Sequence, residues 1–156
     1  MLKWQKAIIV AVAAIDQAAK YFIRSNYFLH ESRELTGFLS LTYVQNTGVA
    51  FGFFHGGVRS NLIFIFISII VIIAIIINKN AFEEKGGKFA KLGIPLVLGG
   101  ALGNLIDRAL LGSVVDFIDF HFFPVFNVAD SCITVGGIVL FASMIFSKKA
   151  AEKNVS

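Results

Sequence analysis

Charge is scarce in this sequence. Only 15% of its 156 residues are Asp, Glu, Lys or Arg, whereas a soluble domain carries about 25%. That shortage excludes an ordinary water-soluble globule. Cysteine is scarcer still. Cys132 stands alone, so no intrachain disulfide can form, and with no histidine near it in sequence it reads as a small apolar helix residue. The three histidines, His30, His55 and His121, show no tight spacing with carboxylates, which argues against a metal site. A Gly-rich phosphate loop and a G-x-S-x-G nucleophile turn are both absent. The net charge of +4 is not gathered into one basic stripe, and no nucleic-acid motif accompanies it. Neither nucleic acid nor a cofactor is expected.

What is present is apolar. Such residues make up 56% of the chain, with 17 Phe, and the mean hydropathy is +0.77. This is the composition of an integral membrane protein forming one domain over 1–156, since no soluble stretch is long enough to fold apart from it. A helical span needs ~20 apolar residues. Four segments approach that length: Ala7–Ile23, Asn61–Ile77, Leu92–Leu111 and Val128–Phe146. The expected fold is an all-α membrane bundle of four transmembrane helices with a small extracytoplasmic β-rich element. The first segment follows Lys3 and Lys6 as a signal peptide would. However, Asp16, Gln17 and Lys20 interrupt it and apolar residues run on to Ile23, so it reads as a retained helix. No cysteine follows it, which speaks against a lipoprotein precursor.

The lysines orient the bundle. Lys3 and Lys6 precede the first segment, Lys79, Lys85, Lys88 and Lys91 lie between the second and third, and Lys148, Lys149 and Lys153 follow the fourth. An even number of spans puts these three regions on one side, which the positive-inside rule makes cytoplasmic. Both termini are then inside, with Arg24–Ser60 and Gly112–Asn127 outside. In the first outer segment Leu39, Leu41 and Tyr43 alternate with Ser40 and Thr42, the period of a strand. "NTG" at 46–48 reads as a turn. "VAFGFF" at 49–54 reads as a second short strand or interfacial piece, with Phe51, Phe53 and Phe54 suited to headgroup depth.

Ionisable groups in membrane spans are costly and point to function. Asp16, Asp107, Asp116, Asp119 and Asp130 lie in or beside the spans. By the topology above the last four gather at the outer end of the bundle, and Asp16 lies towards that end. In the third segment Gly100, Asn104 and Arg108 recur at four-residue spacing and share a helix face. Gly99 and Gly103 form a small-xxx-small pair suited to close packing. In "FNVADS" at 126–131, Asn127 and Asp130 stand three apart at a helix start, where either can cap free N–H groups. Capping accounts for one of them, and not for "VVDFID" at 114–119. Asp116 and Asp130 together suggest a dyad in which one carboxyl keeps a proton while the other ionises. Such a pair can deprotonate a water and donate to a carbonyl oxygen. Asp107 projects about 100° from Arg108 around the helix and reads as a local ion pair or a water-facing group. Asp119 reads as a surface charge, and Asp16 with Lys20, four apart, as a buried structural salt bridge.

Five motifs in order, "DQAAK" at 16–20, "NTGVAFG" at 46–52, "GGALGNLIDR" at 99–108, "VVDFID" at 114–119 and "FNVADS" at 126–131, closely resemble those of bacterial lipoprotein signal peptidases, the signal peptidase II family. The resemblance covers nearly the whole chain. It implies an aspartic endopeptidase of the bacterial cytoplasmic membrane with its active site towards the extracytoplasmic face. Such an enzyme cleaves the signal peptide from prolipoproteins just before a cysteine that already carries a diacylglyceryl group. Asp116 and Asp130 match the family's catalytic pair. Asn46, Gly48, Asn104, Arg108 and Asn127 match positions around that pair and, with Gly100, are expected to bind substrate or support the dyad. Asp16 and Lys20 match structural polar positions. The family's outer β-cradle and small extracellular helix correspond to segments of Arg24–Ser60. Membrane lipid as a partner, a monomeric state and inhibition by the cyclic peptide globomycin are further implications. The residues leave the role of Arg108 open between the headgroup region, a backbone carbonyl and another carboxylate. Two rival readings stand beside this one. A proton-coupled transporter would use Asp16, although no inverted repeat is visible. A structural or assembly protein would use the glycine seams, leaving the polar motifs unexplained.

Overall fold

The computed structural model describes residues 1–48 and 58–153. In chain order these form α1 (Lys3–Asn26), β1 (Ser32–Thr36), β2 (Leu39–Asn46), α2 (Val58–Leu111), β3 (Val114–Asp119) and α3 (Val128–Lys153). α1 exceeds the apolar run at both ends. Its start is closed by Gln5, whose Oε1 accepts the Leu2 N–H at 3.0 Å.

α2 contains both the second and the third apolar segments. The connection between them is helical rather than a loop, because Glu and Lys favour helix and Lys79 pairs with Glu83 one turn on, at 2.8 Å. Only Gly87 leaves helical geometry, with φ 56° and ψ −136°, a region that glycine enters at little steric cost. The chain folds back there. Asn61 near the start of α2 donates its side-chain N–H to the carbonyl of Arg108 near the end, at 3.0 Å. α2 is therefore a hairpin of two antiparallel arms.

Among the described residues, two helices are long and apolar enough to cross a membrane: α2 over Arg59–Leu111 and α3 over Val128–Phe146, with mean hydropathy of 3.1 and 1.9 in their most apolar stretches. α1 has the length, but Gln5, Asp16, Gln17 and Lys20 dilute its apolar run. The second arm of α2 is the middle of the bundle, with Ala90, Ile94, Val97, Leu98 and Ala101 buried. The first arm instead exposes Leu62, Ile63, Phe66, Ile70, Ile73 and Ile77, a contiguous apolar surface suited to lipid. Close contact is made at the glycines. A Cβ on Gly100 would strike the Ala129 carbonyl of α3. A Cβ on Gly99 would come within 2.8 Å of Val12 Cβ in α1, and one on Gly103 within 2.6 Å of Asp16 Oδ2.

The three strands form one antiparallel sheet in the order β1-β2-β3. β1, wholly exposed, offers no apolar alternation by which a sequence pattern could reveal it. β3 is the "VVDFID" motif, with four consecutive buried residues. Between β2 and β3 the register runs from Leu41↔Ile118 to Val44↔Asp116, so two residues of β2 oppose one of β3. In this bulge Thr42 and Tyr43 face the single Phe117, which breaks the expected alternation: the buried residues of β2 are Ser40 and Tyr43, three apart. Tyr43 joins Ile23 of α1 and Val115 and Phe117 of β3 in an apolar core beneath the sheet. The turn at "NTG" is present. Asn46 Oδ1 accepts the Gly48 N–H at 2.8 Å, and Gly48 has φ 86°. "VAFGFF", with Phe51, Phe53 and Phe54, lies outside the described residues. Beside the sheet, Phe38, Phe120 and Phe126 form an aromatic group, with centroids 6.3 and 5.9 Å apart. Phe122 and Phe123 are exposed nearby.

Candidate active site

Three asparagines gather around Asp116 and Asp130, and each has its amide orientation imposed by a neighbour that can only donate. Asn46 Oδ1 is taken by the Gly48 N–H at 2.8 Å, so its Nδ2 faces outwards and donates to Asp116 Oδ2 at 2.9 Å. Asn127 Oδ1 is taken by the Asp130 N–H at 2.8 Å, so its Nδ2 donates to Asp116 Oδ1 at 2.7 Å. Asn104 Oδ1 is taken by the Lys20 ammonium at 2.9 Å, so its Nδ2 donates to Asp130 Oδ1 at 2.7 Å. An ammonium has no acceptor to offer, so Asn104 cannot turn over without breaking both contacts.

The elements explain how these side chains meet. In the sheet Asn46 pairs with Val114 and Val44 with Asp116. Asn46 and Asp116 are therefore diagonal neighbours on one face. At the start of α3, Asn127 and Asp130 cap the helix reciprocally: the Asn127 side chain accepts the Asp130 N–H, and Asp130 Oδ2 accepts the Asn127 N–H at 3.3 Å. This is a capping box with an aspartate at its third position. Asn127 thus holds both carboxylates at once, as a cap to one and a side-chain donor to the other.

Beneath the carboxylates lies a buried charged layer. The three N–H bonds of the Lys20 ammonium meet three acceptors: Asp16 Oδ2 at 2.8 Å, Asp107 Oδ2 at 3.1 Å and Asn104 Oδ1 at 2.9 Å. Lys20 and Asp16 are wholly buried, which is tolerable only because every polar atom has a partner. Asp16 Oδ1 also accepts the Ala129 N–H at 2.8 Å, tying α1 to the first turn of α3. Asp107 accepts from Gln17 Nε2 at 2.8 Å and from the Val115 N–H at 2.9 Å, tying α2 to β3. Of the two readings expected for Asp107, an ion pair is present, but with Lys20 of α1 rather than a local partner, and the water-facing alternative is corrected. Asp107 is 2% exposed, because its position on the helix turns it towards α1 instead of solvent. Gln17, expected only to interrupt the apolar run of α1, belongs to this layer as well. Its signal was its place three residues before Lys20, on the α1 face that carries Asp16 and Lys20.

Asp116 is buried in β3 while Asp130 is half-buried and Asn46 exposed, so the pair is reached from one side. Burial pushes the Asp116 carboxyl up to about 6, and the negative charge of Asp130 adds to that; the Asn46 and Asn127 amides and the Lys20 charge pull the other way. Asp119 stands apart, as a surface charge would. It accepts the His121 N–H and the Thr42 hydroxyl, each at 2.8 Å, and these bonds hold it below the usual carboxylate range.

Arg108 makes no ion pair among the described residues. Its guanidinium lies 5.1 Å over the Phe64 ring. With Asn104 it closes one end of a cavity of about 150 Å³ whose walls are Ile67, Val71, Val97 and Ala101 of the two α2 arms and Ile133 of α3. Gly48 packs against the same Phe64 ring. Gly100 lies on the helix face of Asn104, where it admits the α3 backbone. Among the described residues no three His, Cys, Asp or Glu side chains converge as metal ligands would.

The family model described as signal peptidase (SPase) II matches residues 8–146. Similar proteins include the lipoprotein signal peptidase of Syntrophomonas wolfei, 40% identical over 152 residues, which span 97% of each chain. That of Enterococcus faecalis is 39% identical over 145 residues, 91% of this chain and 88% of that one. Two solved structures, each described as a bacterial membrane enzyme determined by the in meso method, superpose with TM-scores of 0.82 and 0.81 at 35% and 36% identity. They cover 95% and 92% of this chain and 91% and 94% of theirs. A polar cluster set in a membrane-enzyme fold, on a chain matched almost end to end, leads to one assignment: the chain belongs to the signal peptidase II family of peptidases.

Proposed function

We propose that this chain is the aspartic endopeptidase that removes signal peptides from diacylglyceryl-modified prolipoproteins, cutting just before the lipidated cysteine, with Asp116 and Asp130 as its catalytic pair. The observation that carries this reading is the double hold of Asn127 on the two carboxylates. It joins two acids that need opposite protonation states for hydrolysis.

In this reading Asp116, buried in β3 and pushed up to about 6, serves as the proton donor, and Asp130 as the base. Asp130 takes a proton from water as the water oxygen attacks the scissile carbonyl, and Asp116 gives its proton to the carbonyl oxygen. The resulting gem-diol collapses as the proton on Asp130 passes to the leaving amine and a diol hydroxyl returns its proton to Asp116. The Asn104, Asn127 and Asn46 amides keep both carboxylates aimed throughout, and the apolar cavity ending at Arg108 receives part of the substrate.

The same proposal includes four spans: α1, the two arms of α2, and α3. Lysines at the Gly87 end and at both termini face the cytoplasm, and the sheet and carboxylates lie at the opposite surface. The exposed Phe122 and Phe123 would then rest at headgroup depth, where a lipidated cysteine is held. A monomer in the inner membrane that is inhibited by globomycin belongs to the same reading.

The test is cleavage of an authentic diacylglyceryl-modified prolipoprotein by purified protein in detergent, followed by mass spectrometry. Wild type should release the signal peptide just before the lipidated cysteine, and folded Asp116→Asn and Asp130→Asn variants should not. Cleavage by both variants would remove the dyad assignment. Failure of folded wild type would remove the substrate assignment.

A further inference from the structure

A groove of about 690 Å³ opens beside the break in α2, at the opposite end of the second arm from Asn104 and Arg108. Its volume falls within the ~300–1,000 Å³ of small-ligand pockets. The floor is apolar: Phe89 comes from the second arm, and Ile138, Val139, Ala142 and Phe146 from α3. Ser143 also lines it, but its hydroxyl already donates to the Leu140 carbonyl at 2.7 Å.

The mouth is basic. Lys85 and Lys88 stand on either side of Gly86 and Gly87, and both line the groove. The Lys88 ammonium sits 5.4 Å from the Phe89 ring centroid, which holds the charge at the edge of the apolar floor. Neither lysine is in an ion pair among the described residues, whereas nearby Lys79 is taken by Glu83. Among the described residues Glu84 is the one acid in the lining, so the mouth keeps a positive balance. An apolar trough ending at two ammonium groups complements a molecule with an anionic head and a hydrocarbon tail.

We propose that this groove binds an anionic glycerophospholipid of the inner leaflet, with its phosphate between Lys85 and Lys88 and an acyl chain along Phe89, Ile138 and Ala142. The proposal rests on the topology proposed above, which puts these lysines at the cytoplasmic surface. The site lies outside the peptidase machinery, so the two are separable by experiment.

The full-length protein in neutral detergent is titrated with phosphatidylglycerol or with phosphatidylcholine of the same acyl chains, and bound lipid is counted by native mass spectrometry. Wild type should prefer phosphatidylglycerol. Lys85→Gln with Lys88→Gln should weaken phosphatidylglycerol by roughly five-fold per lysine and leave phosphatidylcholine unchanged. Glu84→Gln should strengthen the anionic preference, and Ala142→Phe, which fills the trough, should weaken both lipids. Equal binding of the two lipids by wild type, or an unchanged preference in the double variant, overturns the site. Prolipoprotein cleavage is measured in parallel and should be the same in all these proteins. Lost lipid preference with cleavage intact supports the groove. A wild type that selects the anionic lipid but cuts no prolipoprotein overturns the proposed function and leaves the groove standing.

Discussion

Lys20 and Asn104 are 84 positions apart in sequence and meet at 2.9 Å inside the bundle. The contact decides which end of the Asn104 amide faces Asp130. A cation buried for structural reasons thereby orients a donor at the carboxylate pair, and α1 influences the site without touching either of its acids.

Replacing Lys20 with methionine keeps much of the volume and removes the charge. Asp16 and Asp107 would be left facing each other without a cation, and breaking a buried pair costs about 3–5 kcal/mol. Thermal unfolding in detergent should show a large loss for Lys20→Met. Much of it should return in the triple variant that also carries Asp16→Asn and Asp107→Asn. An unchanged melting temperature for the single variant would mean that the buried charge layer contributes little.

Asn127 has two separable functions. Asn127→Ser retains a helix cap but cannot reach Asp116 as the amide does, so it should be near wild type in stability and lose about 100-fold in kcat, the scale for removing one aimed donor. Asn127→Ala should lose the same activity and a further ~1 kcal/mol of stability from the missing cap. If the serine variant cleaves normally, capping is the whole role of the residue.

The pH dependence follows from Asp116. The Asn46 amide stabilises its charged form, so Asn46→Ala raises the Asp116 carboxyl further. Catalysis as proposed needs that carboxyl protonated, so the alkaline limb of kcat/KM should move to higher pH in Asn46→Ala. A limb that stays put, or moves down, would show that Asp116 does not set it. The stability linkage has the matching sign. The folded value of about 6 lies above the ordinary 3.8, so the contribution of Asp116 to stability is complete below about 3.8 and is lost as pH rises through about 6.

Gly100 admits the carbonyl of Ala129. Gly100→Val should force α3 away from α2 and cost about 1–3 kcal/mol. Because α3 carries Asp130, activity should fall more steeply than stability across Gly100→Ala and Gly100→Val. Equal falls in both would assign the glycine to packing alone.

The apolar segments of the fold were readable because burial and lipid contact impose long uninterrupted runs, as at Asn61–Ile77. The joining of two such runs into one helix was not. Whether "EEKGGK" is a loop or a helix broken at one residue depends on the φ of Gly87, and composition does not carry that. β1 was hidden because "SRELT" buries nothing. The gathering of Asp116 and Asp130 at one end followed from the count of spans, but the partners of Asp107 did not. Its direction around the helix was legible from the 100° step, whereas α1 standing on that side is a fact of packing. The orientations of the three asparagines were equally out of reach, since each depends on a donor brought in by the fold: the Gly48 turn, the Asp130 N–H and the Lys20 ammonium.

The bulge between Leu41 and Val44 makes strand pairing a condition for chemistry. Successive residues of β3 point to opposite faces, so a slip of one position would set Val115 or Phe117 where Asp116 stands and turn the acid into the apolar core. Deleting Gln45, which pairs with Val115, slips Asn46 onto Val115 while leaving every helix sequence intact. The resulting chain would insert and keep its hairpin of helices, yet present Asn46 with a hydrocarbon neighbour. The sheet thus serves as an alignment gauge, and cleavage activity reports whether the gauge has been set.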